Sequence, residues 1–484
     1  MSETTAPATP STGSEAGTGP GGLRRGALSS IGAAIVAMAF MGPATSIFFN
    51  TPLAAQKSGY AMPVGIALAM LACLIIASTI AAFSRKLPAT GFAFTFTTHA
   101  FGKGAGFLTG WLLILAYAAT GPMLFSAIGG FGSQFLSTQF HWHVKWAIVS
   151  LVFVAVVWFI ASRGIGQSTK AALIFLTLEL GVLLALFGTV LVKGGAGGNS
   201  LSIQPFNPGH SLTGLSGIGF AMLWGVLMFV GFESAGTLAE ETRDPRKGVP
   251  FALFAAVLMI GVVYVLAGYV AAIGFGSHGS ADLAGASDPW TTISNTFWSG
   301  KVAWIIALTV INSQFANVLA GSTAGIRMLF ALGREGLLPR LLGRTDRNGT
   351  PQHATAVYMI MATVITLTLS WWQTPMGAYG LLGSVLGIAM ILIYIAMNIG
   401  LIRYYLRSHR DQFSWLRHGA LPALGSLLML LPIYGQLWPI PTWPSNGVPY
   451  LILIWLLVGG GYFIVVRRRT PERIEAMGRV WGAE

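Results

Sequence analysis

Apolar residues in this chain come in long runs separated by short polar segments. A helix that crosses the roughly 30 Å hydrocarbon core of a bilayer needs about 20 such residues. Twelve runs are long enough, at 27–50, 61–83, 105–130, 145–162, 170–192, 214–238, 250–275, 302–332, 354–372, 377–402, 419–437 and 447–466. The pattern predicts an all-α integral membrane protein with twelve transmembrane helices. The gaps at 193–213 and 276–301 are rich in Gly, Ser and Asp and predict loops. Residues 1–22 have no apolar face and predict a disordered cytoplasmic tail. No cleavable signal pattern precedes span 1, which is expected to act as an uncleaved anchor.

Composition narrows the classes further. Of 484 residues, 54% are hydrophobic and only 9% are charged. A soluble domain of this size could not cover its surface with so few ionic groups. That excludes a soluble enzyme, a secreted disulfide scaffold and a disordered regulator. The single cysteine, Cys73, lies in an apolar run and predicts an inert buried thiol. The 62 glycines suit helices that approach closely in lipid.

The charge balance of +13 reads as topology rather than as a nucleic-acid partner. With the N-terminus in the cytoplasm, 23 of the 28 basic residues fall in inner segments. Only Lys57, Lys145, Lys193 and Lys301 fall outside, and Arg327 lies near the inner end of span 8. That asymmetry predicts both termini in the cytoplasm. Tryptophans at 142, 146, 298, 304, 438 and 443 lie near predicted outer edges and read as interface anchors.

Two spans carry an interruption near mid-membrane. Span 1 reads Met41-Gly42-Pro43-Ala44-Thr45-Ser46, and span 6 reads Phe229-Val230-Gly231-Phe232-Glu233-Ser234. Pro43 lacks the N–H a helix needs, and glycines permit unusual dihedrals. Each interrupted span is the first of a set of five. Breaks at matching places in two halves point to an inverted-repeat transporter site. Free N–H groups at a half-helix start hold anions, and free carbonyls at a half-helix end hold cations. A zwitterion such as an amino acid needs both.

Few formal charges lie within the spans: Glu179 in span 5, Glu233 in span 6 and Arg327 in span 8. A carboxylate at bilayer depth faces a cavity, pairs, or holds a proton. Glu179 and Glu233 are therefore candidate proton carriers. Glu179 has two other readings, as a counter-charge to a substrate amine or as a neutral group bonded to a carbonyl. Arg327 is expected to snorkel or pair. No histidine lies in a span core, and no zinc, Walker A or HExxH pattern occurs. No metal, cofactor or catalytic residue is expected.

Three stretches resemble a known family. Gly231-Phe232-Glu233-Ser234-Ala235 with Glu240-Glu241-Thr242-Arg243-Asp244-Pro245-Arg246-Lys247-Gly248-Val249-Pro250 is similar to the sixth-helix signature of the amino acid–polyamine–organocation superfamily of transporters. Residues 88–111 resemble its Pro-x-x-Gly segment and third helix, and residues 327–339 its eighth-helix end. The resemblance covers about 27–466. It implies a five-plus-five inverted-repeat core with broken helices 1 and 6, plus peripheral helices 11 and 12. The domains would then be a first repeat at 23–192, a second at 193–403, peripheral helices at 404–466 and a basic tail at 467–484. It also implies that Glu233 matches a proton-linked glutamate of the arginine/agmatine antiporter branch. Two departures stand out. Glu179 falls where some proton-coupled members place a lysine, and Pro43 interrupts a break that is usually glycine-rich.

The expected activity is proton-coupled secondary transport of amino acids or related amines across the cytoplasmic membrane, by alternating access. The alternative is a polyamine or organic-cation exchanger; a channel or an enzyme fits less well. Expected substrate contacts are Met41, Gly42, Ala44, Thr45, Ser46, Phe229, Gly231, Phe232 and Ser234. The backbone of Ala44–Ser46 would take a carboxylate, carbonyls near Met41 and Phe229–Gly231 an ammonium, and Phe229 or Phe232 would cover it. Arg85 and Lys86 with Glu240, Glu241 and Arg243 would close the cytoplasmic side.

Overall fold

Among the described residues, each of the twelve predicted runs carries helix, because a chain segment in lipid must satisfy its own backbone hydrogen bonds. A computed structural model describes residues 28–87, 92–163, 169–196, 201–237, 242–276, 279–286, 288–298, 304–334, 338–346 and 349–470, with Gly300, Val302 and Gly336. The N-terminal tail at 1–22, Glu240 and Glu241 lie outside the described residues, as does the basic tail beyond Thr470. Among the described residues there is no strand, only an isolated bridge between Leu28 and Thr242.

Span 1 is α1 (Ser30–Met41) followed by α2 (Pro43–Ser58). Span 2 is α3 (Met62–Lys86), and a short α4 (Phe92–Phe101) leads to span 3, α5 (Lys103–Phe140). Spans 4 and 5 are α6 (Trp146–Ser162) and α7 (Thr169–Val192). Span 6 is α8 (Leu215–Phe229) and α9 (Ser234–Thr237), and span 7 is α10 (Pro245–Phe275). Then come α11 (Ser280–Gly285), α12 (Pro289–Phe297) and span 8, α13 (Trp304–Arg334). Spans 9 and 10 are α14 (Gln352–Trp372) and α15 (Pro375–Ser408). Span 11 is α16 (Leu421–Leu428) with α17 (Leu430–Leu437), and span 12 is α18 (Val448–Arg469).

Among the described residues, 10 helical stretches are long and apolar enough to cross a membrane. The first of them, Ser30–Lys86, joins two predicted spans in 57 residues, while Trp146–Ser162 is a shorter apolar helix outside the ten. The gap at 276–301, expected to be a loop, carries α11 and α12. Local chemistry explains α12: Asp288 caps it by accepting the Thr291 N–H at 3.0 Å, and Pro289 supplies the first-turn geometry.

The interior is built around span 1 and span 6. Nearly every residue of α2 and all but one of α8 are buried, and α8 lies against both α2 and α3. Small residues let α3 and α8 meet. A Cβ on Gly65 would stand 2.5 Å from Ala221 Cβ, and one on Gly225 2.7 Å from Ala69 Cβ. In contrast, α7 and α18 leave Ile174, Phe175, Leu178, Leu453, Ile454 and Leu457 exposed, as suits helices bordering hydrocarbon. A reciprocal pair fastens α18 to α5: Trp111 Nε1 donates to Trp455 O and Trp455 Nε1 to Trp111 O, both at 2.8 Å. Their rings stack 4.8 Å apart.

Candidate functional site

The break in span 1 is a single residue. Gly42 sits in the left-handed region at φ 53° and ψ 69°, ending α1 and starting α2. Pro43 occupies the first position of α2, where its missing N–H breaks no hydrogen bond. Gly42 N–H turns back to Ala39 O at 3.2 Å, so the ladder of α1 closes one residue early. In span 6, α8 ends at Phe229, Val230 leaves the helix at φ −55° and ψ 127°, and Gly231 takes φ 119°. The chain then continues by three-residue turns, Phe232 N–H to Phe229 O and Ser234 N–H to Gly231 O, into α9.

The two breaks touch. A Cβ on Gly231 would meet Met41 N and the Phe40 carbonyl, each at 3.1 Å. The backbone groups the breaks release are nonetheless not free. Ala44 donates its N–H to Glu179 Oε1, across 135 residues of sequence. Thr45 donates its N–H to Ser313 Oγ at 3.1 Å, and the Ser313 hydroxyl donates to Glu179 Oε1 at 2.8 Å. Ser46 N–H goes to Gly42 O at 2.8 Å. Met41 O, an expected ammonium contact, accepts from Ser46 Oγ at 2.7 Å and from Tyr264 Oη at 3.2 Å. At the second break Gly231 donates its N–H to Glu233 Oε2 at 2.9 Å, and Tyr394 Oη donates to the same oxygen at 3.3 Å. Both carboxylates are deeply buried, Glu179 at 4% and Glu233 at 1% exposure.

The structure thus gathers Met41, Gly42, Ala44, Thr45, Ser46, Gly231, Glu179 and Glu233 around one crossing point. Phe229 and Phe232 are buried beside it, against the two tyrosines that reach the breaks. Phe229 packs edge-on against Tyr264 of α10 at 5.3 Å, and Phe232 lies 6.1 Å from Tyr394 of α15. Ser234 opens α9 and is partly buried. Of the cytoplasmic cluster, Lys86 donates to Gln412 Oε1, and Arg243 uses its backbone N–H on Leu28 O at 3.0 Å. Arg85 lies in the last turn of α3, and Arg327 is exposed near the end of α13.

Four site residues escaped the sequence reading. Ser313, Asn317, Tyr264 and Tyr394 each touch a break or its carboxylate. The signal for two of them was present. Ser313 and Asn317 lie four apart, on one face of span 8, inside an apolar run. Toward the predicted outer side, Trp290 of α12 caps α2, donating its indole N–H to Ile47 O at 3.1 Å and Thr51 Oγ1 at 2.8 Å.

Residues 26–462 match the family model described as "Amino acid permease". The chain is 27% identical to the branched-chain amino acid permease BcaP of Bacillus subtilis over 339 residues, covering 66% of this chain and 70% of that protein. It is 24% identical to BcaP of Lactococcus lactis over 452 residues, 89% of this chain and 92% of that one. The low-affinity putrescine importer PlaP of Escherichia coli is 23% identical over 468 residues, 92% and 95% of the two chains. The match spans both broken helices and the carboxylates beside them, and the chain belongs to the amino acid permease family, as a multi-pass membrane transporter of the amino acid–polyamine–organocation superfamily and not an enzyme.

Proposed function

We propose that this chain is a secondary active transporter of amino acids or related small amines, coupled to protons and working by alternating access. One observation carries the reading. Two helices are interrupted where they cross, and two buried carboxylates hold the N–H groups released there. Interrupted helices are tolerated at membrane depth only where they are buried in protein or line a cavity. The likeness to permeases of branched-chain amino acids and to a putrescine importer supports the substrate class.

In this reading the substrate exchanges its hydrogen bonds for internal ones. Its ammonium takes carbonyls near Met41 and Phe229–Gly231, displacing hydroxyl donors such as Ser46 and Tyr264. Glu179 or Glu233, once parted from its backbone donor, holds a proton, since an unpaired carboxylate in a dry interior is costly. Substrate and proton movements are coupled because they compete for the same groups. The five-helix repeats at 23–192 and 193–403 move against each other, with 404–466 peripheral. Arg85, Lys86, Glu240, Glu241 and Arg243 close the cytoplasmic side. The protein sits in the cytoplasmic membrane with both termini inside.

The test uses purified protein in liposomes under an imposed pH gradient. Saturable uptake of an amino acid or amine, accelerated by inward proton flow and abolished by a protonophore, is expected. Glu179→Gln or Glu233→Gln should uncouple uptake from the gradient. Uptake that ignores the gradient in wild type and in both variants overturns the proton role.

A further inference from the structure

We propose that Glu179 is a specificity-determining residue, which selects amines lacking a carboxylate over zwitterionic α-amino acids. The proposal rests on the transport reading above and narrows its substrate class.

The start of α2 is where an amino acid would place its carboxylate, because a helix N-terminus presents N–H donors and partial positive charge. In this chain that position is already filled. Pro43 has no N–H to give. Ala44 donates to Glu179 Oε1, Thr45 to Ser313 Oγ and Ser46 to Gly42 O. Ser313 then turns its own hydroxyl hydrogen onto Glu179 Oε1. The protein supplies its own carboxylate, tethered on α7 and so present at a high effective concentration. A substrate carboxylate would have to evict Glu179 and bring a second negative charge beside it, which like charges oppose.

The remaining groups have the opposite preference. Both donors converge on Oε1, and Glu179 Oε2 takes no hydrogen bond from the described residues. Next to Ala44 in the chain, Thr45 is 1% exposed and its hydroxyl has no hydrogen-bond partner among the described residues. Glu233 adds a second buried carboxylate at the other break. Residues 30–56, 171–192 and 215–237, which build the crossing, contain no lysine or arginine. When ionised, two buried acids with no lysine or arginine on these segments leave an electrostatic deficit that a cationic substrate fills. A primary ammonium brings three donors and no acceptor, which suits an open carboxylate oxygen and a hydroxyl.

The test compares matched pairs that differ only in the carboxylate: isoamylamine with leucine, tyramine with tyrosine, putrescine with ornithine. Each is scored by inhibition of uptake into proteoliposomes and by thermal shift of the purified full chain. In at least one pair the amine should bind about tenfold or more tightly than its amino acid, the scale on which a site rejects a group it cannot pair. Glu179→Gln keeps an oxygen for the Ala44 N–H but loses the charge, and should erase that ratio. Glu179→Asp should retain part of it. Amino acids that equal or exceed their amines in every pair overturn the proposal, and the wild-type ratio needs no variant to fold. An unchanged ratio in Glu179→Gln also overturns it. If no member of any pair binds, the transport reading falls with it, whereas parity within pairs removes only the selectivity.

Discussion

The Asn317 side chain of α13 closes against Gly42, the one residue that separates α1 from α2. A methyl group at position 42 would collide with the Asn317 amide nitrogen, and φ 53° is unfavourable for any residue with a Cβ. The break is therefore held from two directions, by backbone conformation and by a polar neighbour on another helix. Gly42→Ala should destabilise the protein by about 1–3 kcal/mol, the range for strain at special dihedrals. Adding Asn317→Ala removes the amide but keeps a Cβ 3.0 Å away, so it should relieve most of the collision and leave about 1 kcal/mol of dihedral strain. Thermal unfolding in detergent of the two singles and the double mutant separates the terms.

Gly231 tests the crossing itself. Its Cβ would press on the Phe40 carbonyl and Met41 N, which are backbone atoms and cannot rotate aside. Gly231→Ala, at φ 119°, is expected to slow uptake sharply and to cost about 1–3 kcal/mol. Gly181→Ala is the control, since nothing lies within 4 Å of the added methyl group. There the change should be neutral or stabilise α7 by up to about 1 kcal/mol.

Trp290 is expected to seal the outer half of span 1. Its side chain is fully buried and bonded to Ile47 O and Thr51 Oγ1. Trp290→Phe, which keeps most packing but loses the donor, should cost about 1 kcal/mol. Trp290→Ala should cost about 3–5 kcal/mol and open the path. The sole native thiol, Cys73, is buried, so a cysteine introduced at Thr51 reports alone. It should react with a membrane-impermeant maleimide in the Trp290→Ala background and stay protected with Trp290 in place.

The Trp111–Trp455 pair makes a contrasting prediction. Each indole donates to the other residue's carbonyl, so the two bonds form one unit. Trp111→Phe and Trp455→Phe should each cost about 1 kcal/mol. The double variant should cost measurably less or more than the sum, since contacting residues couple. Uptake kinetics should hold near wild type, because α18 lies against α5 and α15, away from the breaks. A clear loss of uptake would tie the peripheral helix to the transport cycle.

Much of the architecture was legible because lipid leaves a chain few options. A run of about 20 apolar residues must fold as helix, which is why all the predicted runs are helical. The breaks were legible only in part: Gly42-Pro43 and Gly231 weaken a helix, but Gly121-Pro122 does so too and lies inside the unbroken α5, so it was the matching placement of the two sites that marked them. The short helices α11 and α12 were not, because fewer than ten residues of mixed polarity leave no periodic signal to read against a Gly- and Ser-rich background.

Sequence alone determined that the runs are helical and which acids lie inside apolar runs, and the paired Gly-containing sites pointed to the two helices that break, since these follow from composition and local sterics. Only the tertiary structure decided what the breaks hold. Glu179 and Ala44 are 135 residues apart, and no local rule brings a carboxylate on one helix to the first free N–H of another. The same packing set Phe229 and Phe232 against Tyr264 and Tyr394, and brought Ser313 and Asn317 to the first break. Side-chain partners across helices depend on rotation and register, which are set by how all the helices fit together.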